Sequence, residues 1–480
     1  MSLKEQSING AFWTFIDILV NRGGYFIATI LLARILGPKE FGLLGMIMIF
    51  VAIGNTLIDS GMSSSLLRTK DVTEKDYSTV FITNILMSIF VYVLLFVTAP
   101  YIASFYNQII LTEIIRWYCL GIVINSFRSI HNVKLMKEMK FKMITYLNLP
   151  GNIISVSIGV WLGFSGYGVW SLVWLFLINQ IICTISFWIF IKWRPTWDFD
   201  FKNYKYHFNF GYKLVIAAQL NTIFDNIYNI LIGKFYDVKT LGFYERAYTF
   251  NNYPISVLSG IISKVSLPSM TLIKEDKDRL QKVYKNMMQM SFFISSTGLA
   301  FISLMAYQII ELFLGKQWLP LAPMFQVLTI AFAFYPIHSL NINILSIYGR
   351  SDLFLKLEIA KKIMVFIVVL ICMNFGVMGL VWSSVITSFL ALFINSYYSS
   401  KFLNYSTGKQ LTDLVPTILI VGLTLVIVMI LNEFIDSTSL IVQIFQSFII
   451  GLFVLFVLSE IIALTPYNIF KELILEKLRK

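Results

Sequence analysis

The residues of this chain that could do chemistry sit in stretches that are otherwise apolar. Asp17, Asn21 and Arg22 interrupt the first such stretch, and Asp17 and Asn21 share one helical face with Thr14 and Tyr25. Arg22 follows Asp17 by five residues, about 140° around a helix, so the two do not pair directly. Asn221, Asp225 and Asn229 form an i, i+4, i+8 stripe, while Asp59, Lys213, Arg246 and Lys264 stand in or beside other apolar stretches. None of these sets joins a nucleophile to a base. Their chemistry is the binding of charge: a guanidinium grips phosphate oxygens in a fork, a lysine meets them as a point charge, and a carboxylate takes up a proton or sodium ion. Arg22 is the first candidate for an anion site, with Asn21, Asn221, Asn229, Lys213, Arg246 and Lys264 beside it. Asp17, Asp59 and Asp225 are candidates for ion coupling. Each has a plainer use: Lys213 can snorkel, Arg246 can pair with Glu245 or Asp225, and the carboxylates can tether neighbouring helices.

Other chemistries lack their motifs. There is no G-x-x-x-x-G-K-[ST] phosphate loop, and His131, His207 and His338 are far apart with no H-E-x-x-H pattern. Cys119, Cys183 and Cys372 lie in apolar stretches without metal-ligand spacing and read as buried thiols. No metal, cofactor or enzymatic activity is expected.

The elements that hold such residues follow from composition. Charged residues make up 13% of the 480, about half the share of a soluble domain, and 57% are hydrophobic, so no water-facing surface of this size can be covered. The chain reads as an all-α polytopic membrane protein. Windows of about 20 apolar residues give about fourteen spans, near 9–33, 42–62, 78–102, 112–132, 146–165, 168–192, 211–233, 243–268, 287–314, 321–347, 358–373, 377–400, 412–432 and 440–463. With the N-terminus inside, 25 Lys and Arg fall in inside loops and five in outside loops, a bias that one missed span would invert, so both termini are expected in the cytoplasm. The same dispersal removes nucleic acid as the partner behind the +12 net charge. The start carries Asp17 and Arg22 within its apolar stretch, unlike a cleavable signal peptide.

The chain also repeats itself. LLARILGPKEFGLLGMIMIF at 31–50 aligns without gaps on LIGKFYDVKTLGFYERAYTF at 231–250, matching Arg34 with Lys234, Lys39 with Lys239 and Gly42 with Gly242. FSGYGVWSLVW at 164–174 is echoed by FGVMGLVWSS at 375–384. Spans 1–6 thus correspond to spans 7–12 as parallel, pseudo-symmetric six-helix lobes: residues 1–200, then 201–405, with a terminal helix pair and tail at 406–480. Lobes of this kind rock about a site near their interface. Gly42 and Gly242 are either hinges or points of tight packing. Pro254, Pro268, Pro323 and Pro336 are candidate kinks or helix ends.

ARILGPKEFGLLGM after the first span, DSGMSSSLLR at 59–68 and LGFYERAY at 241–248 resemble the polysaccharide-export branch of the multidrug/oligosaccharidyl-lipid/polysaccharide flippase superfamily, nearest the Wzx-type exporters. The resemblance covers nearly the whole chain. It implies a bacterial cytoplasmic-membrane protein that flips polyprenyl-diphosphate-linked oligosaccharide to the outer leaflet for cell-surface polysaccharide synthesis, contacting membrane lipid and working beside a polymerase and a chain-length regulator. An ion-coupled multidrug exporter on the same general fold is the alternative. The basic residues of spans 1, 7 and 8 favour the lipid-linked glycan, whose diphosphate needs a cationic site.

Overall fold

A computed structural model describes Trp13, residues 16–17 and 20–21, and residues 23–59, 61–435 and 439–478. Every regular element among the described residues is helical. In chain order they are α1 (Gly23–Ile35), α2 (Pro38–Asp59), α3 (Met62–Arg68), α4 (Glu74–Phe105), α5 (Leu111–Tyr118), α6 (Leu120–Lys137), α7 (Phe141–Phe164), α8 (Val169–Phe190), α9 (Phe201–Asp225) and α10 (Ile227–Phe235). There follow α11 (Val238–Thr271), α12 (Lys277–Leu304), α13 (Ala306–Phe313), α14 (Leu321–Ala333), α15 (Tyr335–Ile347), α16 (Ser351–Cys372), α17 (Gly376–Leu403), α18 (Thr407–Glu433), α19 (Leu440–Ile461) and α20 (Thr465–Leu478).

Among the described residues each expected span falls on one helix or on a broken pair, the first on α1 from residue 23, which is consistent with fourteen. Nine stretches of the described residues are long and apolar enough to cross a membrane, and one of them, residues 351–403, holds both α16 and α17. The spans outside these nine are the first, with only α1 described at full length, and three that polar residues interrupt: α5–α6, α9–α10 and α11. Polar residues at this depth are costly, so the least apolar helices are the ones to search for function.

Local chemistry fixes the helix ends. Thr73 and Asp76 form a capping box at α4: the Thr73 N–H donates to Asp76 Oδ2 at 2.8 Å, and the Asp76 N–H to Thr73 Oγ1 at 3.3 Å. Asp200, Asp276 and Ser406 accept from the first-turn N–H groups of α9, α12 and α18. Two of the four expected kink prolines are inside α11, Pro254 and Pro268; Pro336 opens α15 and Pro323 lies in the first turn of α14.

Contacts divide the chain into two compact units, Met1–Gly242 and Phe243–Lys480. In the first, α7 packs along α8 and α1, α4 and α8 pack on α6, and α9 packs on α2, α3 and α4. The helix pair α9–α10 thus packs with the first unit although the repeat counts it from residue 201, with His207 and Gln219 of α9 hydrogen-bonded to α2, α3 and α4. In the second unit, α17 packs on α14, α15 and α16. The terminal helix α18 is fastened to α12 by Lys285–Asp413 at 2.8 Å and by Gln289 Nε2 donating to the Asp413 carbonyl at 3.1 Å. Helix α16 begins seven residues before the expected span, so Glu358 and Lys361 pair about two turns inside it rather than at its boundary.

Candidate functional site: a polar cavity in the first unit

The first unit encloses a cavity of about 580 Å³ among α2, α3, α4, α6, α7 and α8, with Asp17 on its wall. Its lining is rich in amides and hydroxyls: Asn55, Ser63, Ser64, Asn84, Asn125, Ser126, Ser129, Asn132, Asn148 and Gln180. One cation stands among them. Arg128 donates through Nε to Asn125 Oδ1 at 2.9 Å, through Nη1 to Asn148 Oδ1 at 3.4 Å and through Nη2 to Gln180 Oε1 at 3.0 Å. Three helices, α6, α7 and α8, thus aim the guanidinium with neutral acceptors. Among the described residues no carboxylate lies within ion-pair distance of it. An arginine held by neutral amides has a charge that none of these partners offsets, which suits the binding of an anion.

A second chain of amides runs behind this wall. Asn179 Nδ2 donates to Asn152 Oδ1 at 2.7 Å, Asn152 Nδ2 to Asn21 Oδ1 at 2.7 Å, and Asn21 Nδ2 to Asp17 Oδ1 at 2.6 Å. Every link points toward the Asp17 carboxylate, so the links polarise one another. Asn21 also reaches the Thr145 carbonyl at 3.3 Å. The face shared by Asp17 and Asn21 is therefore real, and it ties the first span to α7 and α8.

The other sequence candidates are scattered. Arg22 and the side chains of Asp59 and Lys213 lie outside the described residues. Asn221 and Asp225 are exposed on α9, whereas Asn229 is half-buried on α10. The helix breaks at Asn226 between them, so the expected i, i+4, i+8 stripe is not one continuous face. Arg246 is buried and pairs with Glu245 at 3.5 Å, and Lys264 is exposed on α11. Neither Asn221, Asp225, Asn229, Arg246 nor Lys264 lines the cavity. The sequence reading missed Arg128, although the rule that flagged Arg22 applies equally to an arginine within span 112–132.

Gly42 and Gly242 are points of close packing. A Cβ on Gly42 would stand 1.9 Å from the Val238 carbonyl oxygen, and one on Gly242 would stand 1.9 Å from that of Pro38. The contact is reciprocal at the repeat's own offset of 200: residue 38 meets 242 as 238 meets 42. The first turns of α2 and α11 therefore cross where only glycine fits. Their starts differ chemically. Pro38 opens α2 with its fixed φ, while Asp237 caps α11 by accepting from the Thr240 N–H at 2.9 Å and the Thr240 hydroxyl at 2.6 Å. Burial pushes the Asp237 carboxyl up, and these bonds, with that from the Lys239 N–H, outweigh it and hold its pKa below the usual value.

His207 is enclosed between Ser65 Oγ at 2.8 Å from Nδ1 and Asp76 Oδ1 at 3.2 Å from Nε2. The order is that of a serine nucleophile relay. Ser65 is only 2% exposed, however, so no substrate reaches it and the cluster serves as a clasp joining α3, α4 and α9.

Helices long and apolar enough to span a membrane thus surround a polar cavity that holds a cation, a site suited to binding and moving an anionic solute. The chain belongs to a family described as "Polysaccharide biosynthesis protein", whose model matches residues 31–323. It is 25% identical over 360 residues to the teichuronic acid biosynthesis protein TuaB of Bacillus subtilis, covering 73% of each chain. It is 23% identical over 363 residues to the lipopolysaccharide biosynthesis protein WzxC of Escherichia coli, covering 75% of this chain and 74% of that one. In fold it is similar to the lipid II flippase MurJ in an inward closed conformation, with a TM-score of 0.77 at 16% identity over 95% of this chain and 98% of the other. An inward-facing multidrug resistance MATE family transporter gives a TM-score of 0.64 at 15% identity, covering 83% and 99%. The likeness read from residues 33–68 and 241–248 extends over residues 31–323 in the family model and about three quarters of the chain in these two relatives.

Proposed function

We propose that this protein moves a polyprenyl-diphosphate-linked oligosaccharide from the cytoplasmic to the outer leaflet of a bacterial cytoplasmic membrane. The observation that carries this is Arg128: a guanidinium held by three amide oxygens in the wall of a polar cavity, with no carboxylate within ion-pair distance among the described residues. A diphosphate brings about two negative charges and oxygens matched to the guanidinium fork. Arg22, Lys213, Arg246 and Lys264 are proposed as further cations along the route, with Asn21 bracing the first span and Asn221 and Asn229 offering polar contacts. Asp17, Asp59 and Asp225 are the proposed sites at which an ion gradient would act.

The two lobes are proposed to run from 1 to 200 and from 201 to 405, followed by the terminal pair, with alternating access as the cycle. The reciprocal 38–242 and 238–42 contacts support that internal symmetry. Both termini are proposed to face the cytoplasm, in keeping with the basic inside loops, and a polymerase with a chain-length regulator would use the exported unit. A drug exporter, the competing reading, calls for a mainly apolar aromatic pocket, whereas half of the residues lining this one are amides and hydroxyls and Arg128 stands among them.

The test is transport by the purified chain in proteoliposomes. A fluorescent undecaprenyl-diphosphate oligosaccharide is supplied and its exposure on the opposite leaflet followed. Wild type is expected to flip it, and folded Arg128→Ala to lose flipping by at least about tenfold, the lower end for a charge-assisted hydrogen bond. Equal flipping by both, or export of small organic cations in its place, overturns the assignment.

A further inference from the structure

We propose that Asn84 and Asn132 form a sugar subsite beside Arg128, reading the donor groups of the carbohydrate next to the diphosphate. The inference rests on the transport reading above and adds the residues that would tell a glycosylated lipid from a bare one. Asn84 is completely buried on α4, with its Nδ2 donating to Ser129 Oγ at 3.3 Å while its Oδ1 has no partner. The Oδ1 of Asn132, one turn beyond Arg128 on α6, is also buried without a partner. Both residues line the same cavity as Arg128.

A buried acceptor without a donor is rare, and each one asks what supplies the missing hydrogen. Two unpartnered acceptors lining one cavity with a cation suit a ligand that carries its anionic and its donor groups close together. A diphosphate linked to a sugar has that pattern, since the hydroxyl or acetamido N–H on C2 of the first sugar stands on the carbon next to the one that carries the phosphate. A bare prenyl diphosphate has the anion alone. Arg128 therefore holds what all such lipids share, and Asn84 and Asn132 add affinity only when a sugar is attached. Water could fill the same positions, and the experiment separates the two occupants.

Purified full-length protein in nanodiscs is titrated with two probes, a short-chain prenyl diphosphate carrying an oligosaccharide of hexose and N-acetylhexosamine, and the same prenyl diphosphate without sugar. Wild type is expected to bind the glycosylated probe more tightly. Asn132→Ala is expected to weaken the glycosylated probe by about fivefold, one neutral hydrogen bond, while changing the bare probe by less than about twofold. Asn84→Ala should do the same. Should that buried substitution prevent folding, half-buried Asn132 carries the test alone. Arg128→Ala weakens both probes together. Equal losses on both probes in the asparagine variants, no loss on either, or a wild type that binds the two probes equally overturns the subsite and assigns those acceptors to water. A wild type that binds neither overturns the transport reading, and the subsite with it.

Discussion

Substituting Gly42 by alanine tests the crossing of α2 and α11. The new Cβ would sit 1.9 Å from the Val238 carbonyl oxygen, and real Cβ contacts essentially never fall below 3.0 Å, so the backbones must part by about 1.1 Å. The obstacle is main chain, so no side-chain rotation relieves it. Overpacking of this kind costs about 1–3 kcal/mol. For a cooperative unit of some 200 residues that is a fall in melting temperature of roughly 2–12 °C, at about 2–4 °C per kcal/mol. Gly242→Ala meets the Pro38 oxygen at the same 1.9 Å and is expected to cost as much. The double variant is the sharper measurement. Once the first alanine has pushed the helices apart, the second finds the space already open, so the two losses should fall short of additivity by about 1 kcal/mol. The assay is thermal unfolding of the detergent-purified protein, followed by size-exclusion fluorescence at one fixed heating rate, because membrane proteins of this size unfold irreversibly. Two single variants that melt with wild type, or two losses that add fully, would refute the crossing.

Other perturbations reach the cavity and the turns. Arg128→Lys keeps the charge but loses the fork that three amides orient, so flipping should drop by about tenfold while Arg128→Ala drops further in the same vesicle assay. Asn152→Ala breaks two 2.7 Å links of the amide chain, strands Asn21 Oδ1 and leaves Asn179 Nδ2 with a long 3.5 Å bond to Ser155 Oγ; a loss of about 1–3 kcal/mol, seen as a lower melting temperature, is expected. Asp237→Ala removes the α11 cap, at about 0.5–2 kcal/mol near neutral pH. Because the folded pKa of Asp237 is depressed, its contribution is present above the unfolded value near 4 and fades as pH falls through the folded one. The gap between wild type and Asp237→Ala should thus be full at neutral pH and narrow below about pH 4, which melting curves at both conditions would show.

The membrane class, the span pattern and the paired glycines were legible in the sequence because each is written in local composition. A run of about 20 apolar residues has few other destinations, and basic loops record which side they face. A phrase repeated at an offset of 200 marks two equivalent turns wherever they end up. The face shared by Asp17 and Asn21 was legible for the same reason, since helical spacing alone sets it. What local patterns do not carry is which polar residues from distant spans meet. Arg128, Asn148 and Gln180 are 20 to 52 residues apart, and only the packing of α6, α7 and α8 brings three amide oxygens around one guanidinium. The same holds for Asn21, whose partner Asn152 is 131 residues away. The break at Asn226 shows the reverse case: an unbroken helical spacing in sequence became two helices once α9 and α10 had packed on α2. Whether Gly42 and Gly242 were hinges or contacts was likewise undecidable from their type, because glycine permits both. The close approach of two carbonyl oxygens shows tight packing at both, and that distance exists only in the folded chain.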